Sequence, residues 1–350
     1  MQSVKHKTET FAKFCCVTLA LIASTFQAGH AAPLNSLADG QVGRIEFNSS
    51  NPPNRWAMIR GNLGEPQLVF GDLLLPKTAS VERVPVVVFS HGSEGVSAVY
   101  FDVWAKDLNA AGIAVFVVDS FKPRGLDNIL GADKQLSYDA LGSNVADALN
   151  ALRLLATHPR IDPARIFHMG WSRGGSAVLA AAWPAYQTGL PAGMRWAGSV
   201  AVYPGCNLRY RSETPALPAP LLMLLGAKDD MTPAAPCVAY AQDLAASGHP
   251  VTYKLYNGAY HVFDRLNQRY NLSRQGTYRD CDMDIMMPTK SNPAWVPGID
   301  RRTKAVIANA GDFAAAYKAC ETVANVVSES NTKAREQAVT DVITFMKVIQ

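Results

Sequence analysis

Six runs of hydrophobic residues, at 84–90, 113–119, 165–169, 196–203, 221–225 and 251–256, place apolar or β-branched side chains on nearly every consecutive position. A strand with one face in water alternates apolar with polar residues, so unbroken runs of this length read as strands covered on both faces. Between and after them lie stretches with apolar residues at helical spacing, at 99–111, 138–157, 174–183, 235–247 and 333–349. Regular alternation of buried strand and amphipathic helix restricts the chain to the α/β class, with a mostly parallel central sheet and helices on both faces. Two segments break the rhythm. Residues 35–76 are turn-rich, and 56–60 with 68–75 read as an opening antiparallel pair. Residues 264–330 are polar, contain Pro288, Pro293 and Pro297, and turn weakly helical over 303–327; they read as a C-terminal-half insertion on the same domain, a lid or cap.

The N-terminus is set apart by composition. Lys5, Lys7 and Lys13 precede an apolar run at 14–26, and Ala28, Gly29, Ala31 and Ala32 follow it. A charged start, a short apolar stretch and small residues at its end describe a cleavable signal peptide over 1–31. The run is shorter than the roughly 20 residues a membrane span needs, and no later stretch is long and apolar enough to form one. The remaining chain, 32–350, is expected to be a single domain in the periplasm or outside the cell. Export leaves Cys206, Cys237, Cys281 and Cys320, an even number in an oxidising compartment. Three pairings are open; closeness in sequence favours Cys206 with Cys237 and Cys281 with Cys320, against free thiols buried as small hydrophobes. A net charge of +4 with no basic block leaves no electrostatic footprint for nucleic acid. Neither H-E-x-x-H, nor a P-loop, nor G-x-G-x-x-G after a strand occurs, so neither metal nor nucleotide cofactor is expected. The oligomeric state leaves no mark on the sequence.

The segment Gly170-Trp171-Ser172-Arg173-Gly174-Gly175 directly follows one apolar run and directly precedes an alanine-rich helical stretch. That is the setting of a G-x-S-x-G nucleophile elbow, where a sharp strand-to-helix turn exposes the serine and glycines make room for it. Serine needs a base to become a nucleophile. His6 and His30 fall in or beside the leader, His91 in a His-Gly turn, His158 before a proline, His168 inside a strand and His249 in a Gly-His-Pro turn. His261 alone combines a loop position after a strand with a place C-terminal to Ser172, matching the order serine, acid, histidine. The acid then lies on the loop after 221–225, where both Asp229 and Asp230 are candidates. For the oxyanion, one backbone N–H is expected from Arg173 and the other from the loop His91-Gly92-Ser93-Glu94-Gly95, at Ser93.

With these motifs in order, residues 84–261 resemble the dienelactone hydrolase family of α/β-hydrolases. The elbow, the acid loop Gly-Ala-Lys-Asp-Asp-Met-Thr-Pro and the segment Tyr-Asn-Gly-Ala-Tyr-His-Val-Phe-Asp carry the likeness, as does Asp119-Ser120-Phe121-Lys122-Pro123-Arg124-Gly125. The resemblance implies an α/β-hydrolase fold and Asp229 as the acid. It also supports the Cys206–Cys237 pairing and puts Arg265 where such enzymes hold a substrate carboxylate. This chain departs from the family's namesakes by carrying serine where they have cysteine, and Gly92 where their oxyanion loop has glutamate. The expected activity is therefore cleavage of a small-molecule or polymeric carboxylic ester through Ser172, Asp229 and His261, by way of an acyl-enzyme. A serine peptidase of the same fold and a non-catalytic binding protein are the alternatives. The residues present argue against both: such peptidases usually carry a propeller or a larger cap, and 350 residues leave no room for a propeller, while a dead scaffold needs neither acid nor base.

Overall fold

The computed structural model describes residues 35–77, 82–130, 140–187, 189–212, 217–287 and 298–349. The leader expected over 1–31 lies outside them. An eight-stranded sheet forms the frame. It contains β1 (Gly43–Asn51), β2 (Glu65–Leu74), β3 (Val84–Ser90), β4 (Ala114–Asp119), β5 (Ile161–Trp171) and β6 (Ser199–Val202). After β7 (Leu208–Arg211), which stands outside it, the sheet is completed by β8 (Leu221–Gly226) and β9 (Val251–Tyr256). The order is β1-β2-β4-β3-β5-β6-β8-β9, antiparallel at β1–β2 and β2–β4 and parallel elsewhere. This is the mostly parallel sheet expected from the apolar runs.

Side chains alternate across a strand, so each apolar run feeds two cores at once. Along β4, Ala114, Phe116 and Val118 enter one core, while Val115 and Val117 enter the other. Along β8, Leu221, Met223 and Leu225 part in the same way from Leu222 and Leu224. The first core is closed by α3 (Ala140–Leu155), α4 (Arg173–Ala181) and α5 (Ala234–Ala246). The second is closed by a π-helical turn at Tyr100–Ala105, running into α2 (Lys106–Ala110), and by α7 (Thr332–Val348).

Two sequence expectations are corrected. Residues 56–60 are not a strand but most of a short helix, α1 (Arg55–Ile59). Ala57, Met58 and Ile59 are all buried, which imitates a strand run. However, the Asn54 side chain accepts the Ala57 N–H at 2.8 Å, and such a cap starts a helix. The antiparallel partner of β2 is instead β1. The stretch 303–327 is only partly helical. It holds α6 (Ala310–Ala319) and then β14 (Thr322–Glu329), where Thr322, Val323, Val326 and Val327 favour extended backbone.

β14 pairs antiparallel with β10 (Arg269–Thr277). Between them, β11 (Met283–Met286) adds in parallel to β7, and β12 (Gly298–Asp300) and β13 (Val306–Ile307) extend that small sheet. Disulfides join Cys206 to Cys237 and Cys281 to Cys320, with Cα separations of 5.0 and 5.1 Å. Among the described residues no helix is long and apolar enough to cross a membrane.

One core residue makes stability depend on pH. His168 of β5 is fully buried, stacks on Trp196 at 4.7 Å and meets Ser90 Oγ at 2.9 Å. Burial pushes its pKa down to about 3. The unfolded chain takes up this proton near pH 6.5 and the folded chain does not, so stability is complete above that value and falls as pH drops towards 3. The expected slope is about 1.4 kcal/mol per pH unit for this group. Urea melts of wild type and His168→Phe, which keeps the stack, measure it as the difference in slope between pH 6 and 4. Parallel curves would refute the assignment.

Candidate active site

β5 ends at Trp171 and α4 begins at Arg173, so Ser172 must turn the chain by itself. Its φ of 52° and ψ of −114° lie where side chains are strained. The turn is held by the Ser172 N–H on the Val202 carbonyl and the Ser176 N–H on the Ser172 carbonyl, both at 2.9 Å. Glycine is required beside it by close approach: a Cβ on Gly170 would stand 2.3 Å from the Gly174 carbonyl oxygen. One on Gly174 would stand 2.0 Å from that of Ser90.

Ser172 Oγ lies 3.1 Å from His261 Nε2, and His261 Nδ1 lies 2.7 Å from Asp229 Oδ2. Both side chains behind the serine are buried, 4% and 1% exposed. The carboxylate fixes the tautomer: Nδ1 donates to Asp229, and Nε2 is left with its lone pair towards the serine hydroxyl. Asp229 is itself held by the N–H groups of Met231 and Thr232 on Oδ1, at 3.0 and 2.8 Å. The Thr232 hydroxyl, 3.0 Å from Asp229 Oδ2, also stands 3.1 Å from His261 Nδ1 and from the Tyr203 carbonyl. The two aspartates are thereby told apart. Asp230 turns the other way and accepts the Val327 N–H of β14 at 3.0 Å.

The loop after β3 runs beside the elbow. A Cβ on Gly92 would be 3.6 Å from that of Ser172. His91 is buried and receives the Ser120 N–H on Nε2 at 3.0 Å, so its Nδ1 carries the proton and donates to the Gly92 carbonyl at 2.8 Å. Burial lowers the His91 pKa and keeps the ring neutral. The Gly92 N–H donates to Tyr100 Oη at 3.1 Å and is thus spent. A planar peptide whose carbonyl is held in this way has its N–H, that of Ser93, directed oppositely. Ser93 and Arg173 both line the cavity at Ser172.

That cavity has a volume of about 450 Å³. It reaches from the elbow along α4 by way of Ser176 and Leu179 to Tyr210, and its far wall is built by β10 and by Tyr278 and Tyr317. The two tyrosines stack at 4.1 Å, close to the Cys281–Cys320 bridge. Arg265 lines the cavity too. It is only 12% exposed, and its Nη2 lies 2.6 Å from Glu94 Oε2. Ser93, Ser172, Arg173, His261 and Arg265 thus line one cavity, with Asp229 behind His261, Cys206 on the wall and the second disulfide beside it. Sequence reasoning did not find Tyr100, Tyr203, Thr232 or Asp264. Thr232 was within reach, three residues after Asp229 in the acid loop; the others work through contacts between distant segments.

A dienelactone hydrolase family model matches residues 71–282. No curated protein matches the chain by sequence. Among solved structures, a candidate dienelactone hydrolase from Klebsiella pneumoniae subsp. pneumoniae MGH 78578 is similar at 20% identity, covering 63% of this chain and 88% of that one, with a TM-score of 0.44. The propionate-bound esterase Est2 of Thermogutta terrifontis is similar at 16% identity, covering 57% and 82%, with a TM-score of 0.44. The same enzyme phosphorylated by paraoxon aligns at 18% identity over 57% and 81%, with a TM-score of 0.45.

Proposed function

The chain belongs to the dienelactone hydrolase family and is a carboxylic ester hydrolase, and we propose that it is an exported enzyme working through Ser172, His261 and Asp229. The observation that carries this reading is the unbroken contact from Asp229 through His261 to Ser172, at 2.7 and 3.1 Å. Ser172 Oγ attacks the ester carbonyl carbon as its proton passes to His261 Nε2. The carbonyl oxygen becomes an oxyanion, met by the N–H groups of Ser93 and Arg173 and by the N-terminal dipole of α4. As the tetrahedral species collapses, His261 returns the proton to the departing oxygen and an alcohol leaves. Water then attacks acyl-Ser172 with His261 again as base; the acyl–Oγ bond breaks as His261 returns that proton to Ser172 Oγ, and the free acid is released. Asp229 keeps the imidazole in one tautomer and stabilises its charged form.

Export is supported by the leader pattern over 1–31 and by two disulfides, bonds that persist in oxidising compartments. The mature chain, 32–350, is then periplasmic or secreted, with the segment from 264 to 330 acting as a cap on one domain. The cavity walls suit a small-molecule ester or the end of a polymeric one. The test is turnover of short p-nitrophenyl esters against their anilide analogues. Esters are expected to react and anilides not; anilides reacting as fast as esters would replace the esterase with a peptidase.

Arg265 is assigned to an acidic group on the substrate, which it would engage by exchanging Glu94 for the incoming carboxylate. Arg265→Ala is expected to raise KM about tenfold or more for an ester bearing a free carboxylate, the scale of a lost charge-assisted hydrogen bond. Neutral esters should change less than threefold. Equal losses on both substrate types would remove this role.

A further inference from the structure

Asp264 follows His261 by three residues and is fully buried. Its Oδ2 accepts the indole N–H of Trp104 at 2.7 Å and that of Trp171 at 2.8 Å; its Oδ1 accepts the Tyr203 hydroxyl at 2.6 Å. A buried carboxylate is costly unless its oxygens are satisfied. Here three donors from three separate segments converge on it, and among the described residues all three are uncharged.

The backbone around this group is unusual. Ser172, Tyr203 and Val262 have φ values of 52°, 36° and 56°. Left-handed backbone is unfavourable for side-chain-bearing residues, and for a β-branched one such as Val262 it is an outlier. Such strain persists only where the surroundings over-determine it. Asp264 reaches all three points: Trp171 precedes Ser172, Tyr203 is bonded directly, and Val262 lies in the turn that leads from His261 to Asp264. The Tyr203 ring in turn lies 4.7 Å from the His261 ring.

We propose that Asp264 is the positioning residue of this site, tying the nucleophile elbow, the end of β6 and the histidine loop into one unit that sets the Ser172–His261 geometry. The proposal rests on the serine reading given above. It predicts an ordered series. Asp264→Leu offers no acceptor to any donor. Asp264→Asn can still accept both indoles on Oδ1 but turns the donor Nδ2 towards the Tyr203 hydroxyl, which loses its acceptor, so it keeps the tie to the elbow and weakens the one to Tyr203. Tyr203→Phe removes a single donor.

The experiment measures kcat and KM on a p-nitrophenyl ester, and the rate of covalent labelling by a fluorophosphonate, which reports the nucleophile without an ester. Asp264→Leu is expected to lose about 10²-fold in kcat and in labelling rate, the scale of a small misplacement of reacting groups, with KM within threefold. Asp264→Asn should recover roughly tenfold of that loss, and Tyr203→Phe should fall between Asn and wild type. Phe47→Leu, in the remote strand β1, serves as a destabilised control with unchanged kcat. If Asp264→Leu does not fold, Asp264→Asn and Tyr203→Phe decide. Wild-type kcat and labelling in both, with a lowered Tm like that of Phe47→Leu, would reduce Asp264 to a structural residue. A Ser172→Ala protein that keeps its rate would instead overturn the serine reading itself.

Discussion

Ser172→Ala will lower kcat for a p-nitrophenyl ester by about 10⁴-fold or more, because the nucleophile and base of such a site act as a unit and losing one removes nearly all their joint contribution. Tm should barely move. The strained φ of 52° is borne by alanine as by serine, and the turn is held by the backbone N–H and carbonyl of residue 172, which the substitution leaves in place. The residual rate will come from substrate binding and from the N–H groups facing the oxyanion, neither of which the substitution touches. Steady-state rates at matched protein concentration, with a circular dichroism melt beside them, give the answer. A mutant with wild-type turnover would remove Ser172 from the chemistry, and with it the acyl-enzyme.

The second large effect is expected at Gly174. A methyl group there would stand 2.0 Å from the Ser90 carbonyl oxygen and 2.7 Å from that of His91. These are backbone atoms at the end of a central strand, flanked by β4 and β5, and cannot swing aside as a side-chain tip would. Gly174→Ala must therefore push the helix start away from the loop that carries Ser93. Forced overpacking of a buried site costs about 1–3 kcal/mol and sometimes more. Displacement of the elbow by even ~1 Å removes about 10²-fold in rate. Both readouts should fall together, a lower Tm and a lower kcat with little change in KM. A Gly174→Ala enzyme with wild-type Tm and kcat would show that the elbow has slack that its contacts deny.

The central sheet was legible because strands such as β3 and β8 are apolar on both faces, and only a strand packed between two layers can bury both sides of such a run. The elbow was legible because strand, serine, glycines and helix are contiguous in sequence. Where the reading failed, the deciding contact was local and polar or came from a distant part of the chain. At 56–60 the three buried apolar residues look alike in helix and strand, and only the Asn54 cap distinguishes them. β10 reads Arg-Tyr-Asn-Leu-Ser-Arg-Gln-Gly-Thr, mostly exposed and without alternation, and its partner β14 arrives 45 or more residues later, so nothing nearby marks it as a strand. By position alone Asp229 and Asp230 are equal candidates on one loop and only the family resemblance favoured Asp229; in the structure each carboxylate faces a different partner, His261 in one case and the Val327 N–H in the other. Asp264 stood at the edge of what looked like an insertion, and its three donors come from parts of the chain 61 to 160 residues away.

The return strand β14 has a consequence for how such enzymes diversify. The segment that shapes the far wall of the cavity does not end there. The Val327 N–H donates to Asp230, next to Asp229, the Glu329 N–H meets the His261 carbonyl at 3.2 Å, and the Asn331 N–H meets that of Phe263 at 2.8 Å. The far cavity wall and the support of the loops that carry Asp229 and His261 are therefore one piece of chain. A graft that exchanged residues 269–329 for a relative's segment is expected to reshape the cavity and loosen the Asp229 and His261 loops together, whereas a splice placed inside β14, keeping 327 to 331, leaves those loop contacts in place. Modularity in this protein has a seam, and it runs before Val327, three residues from the strand's end.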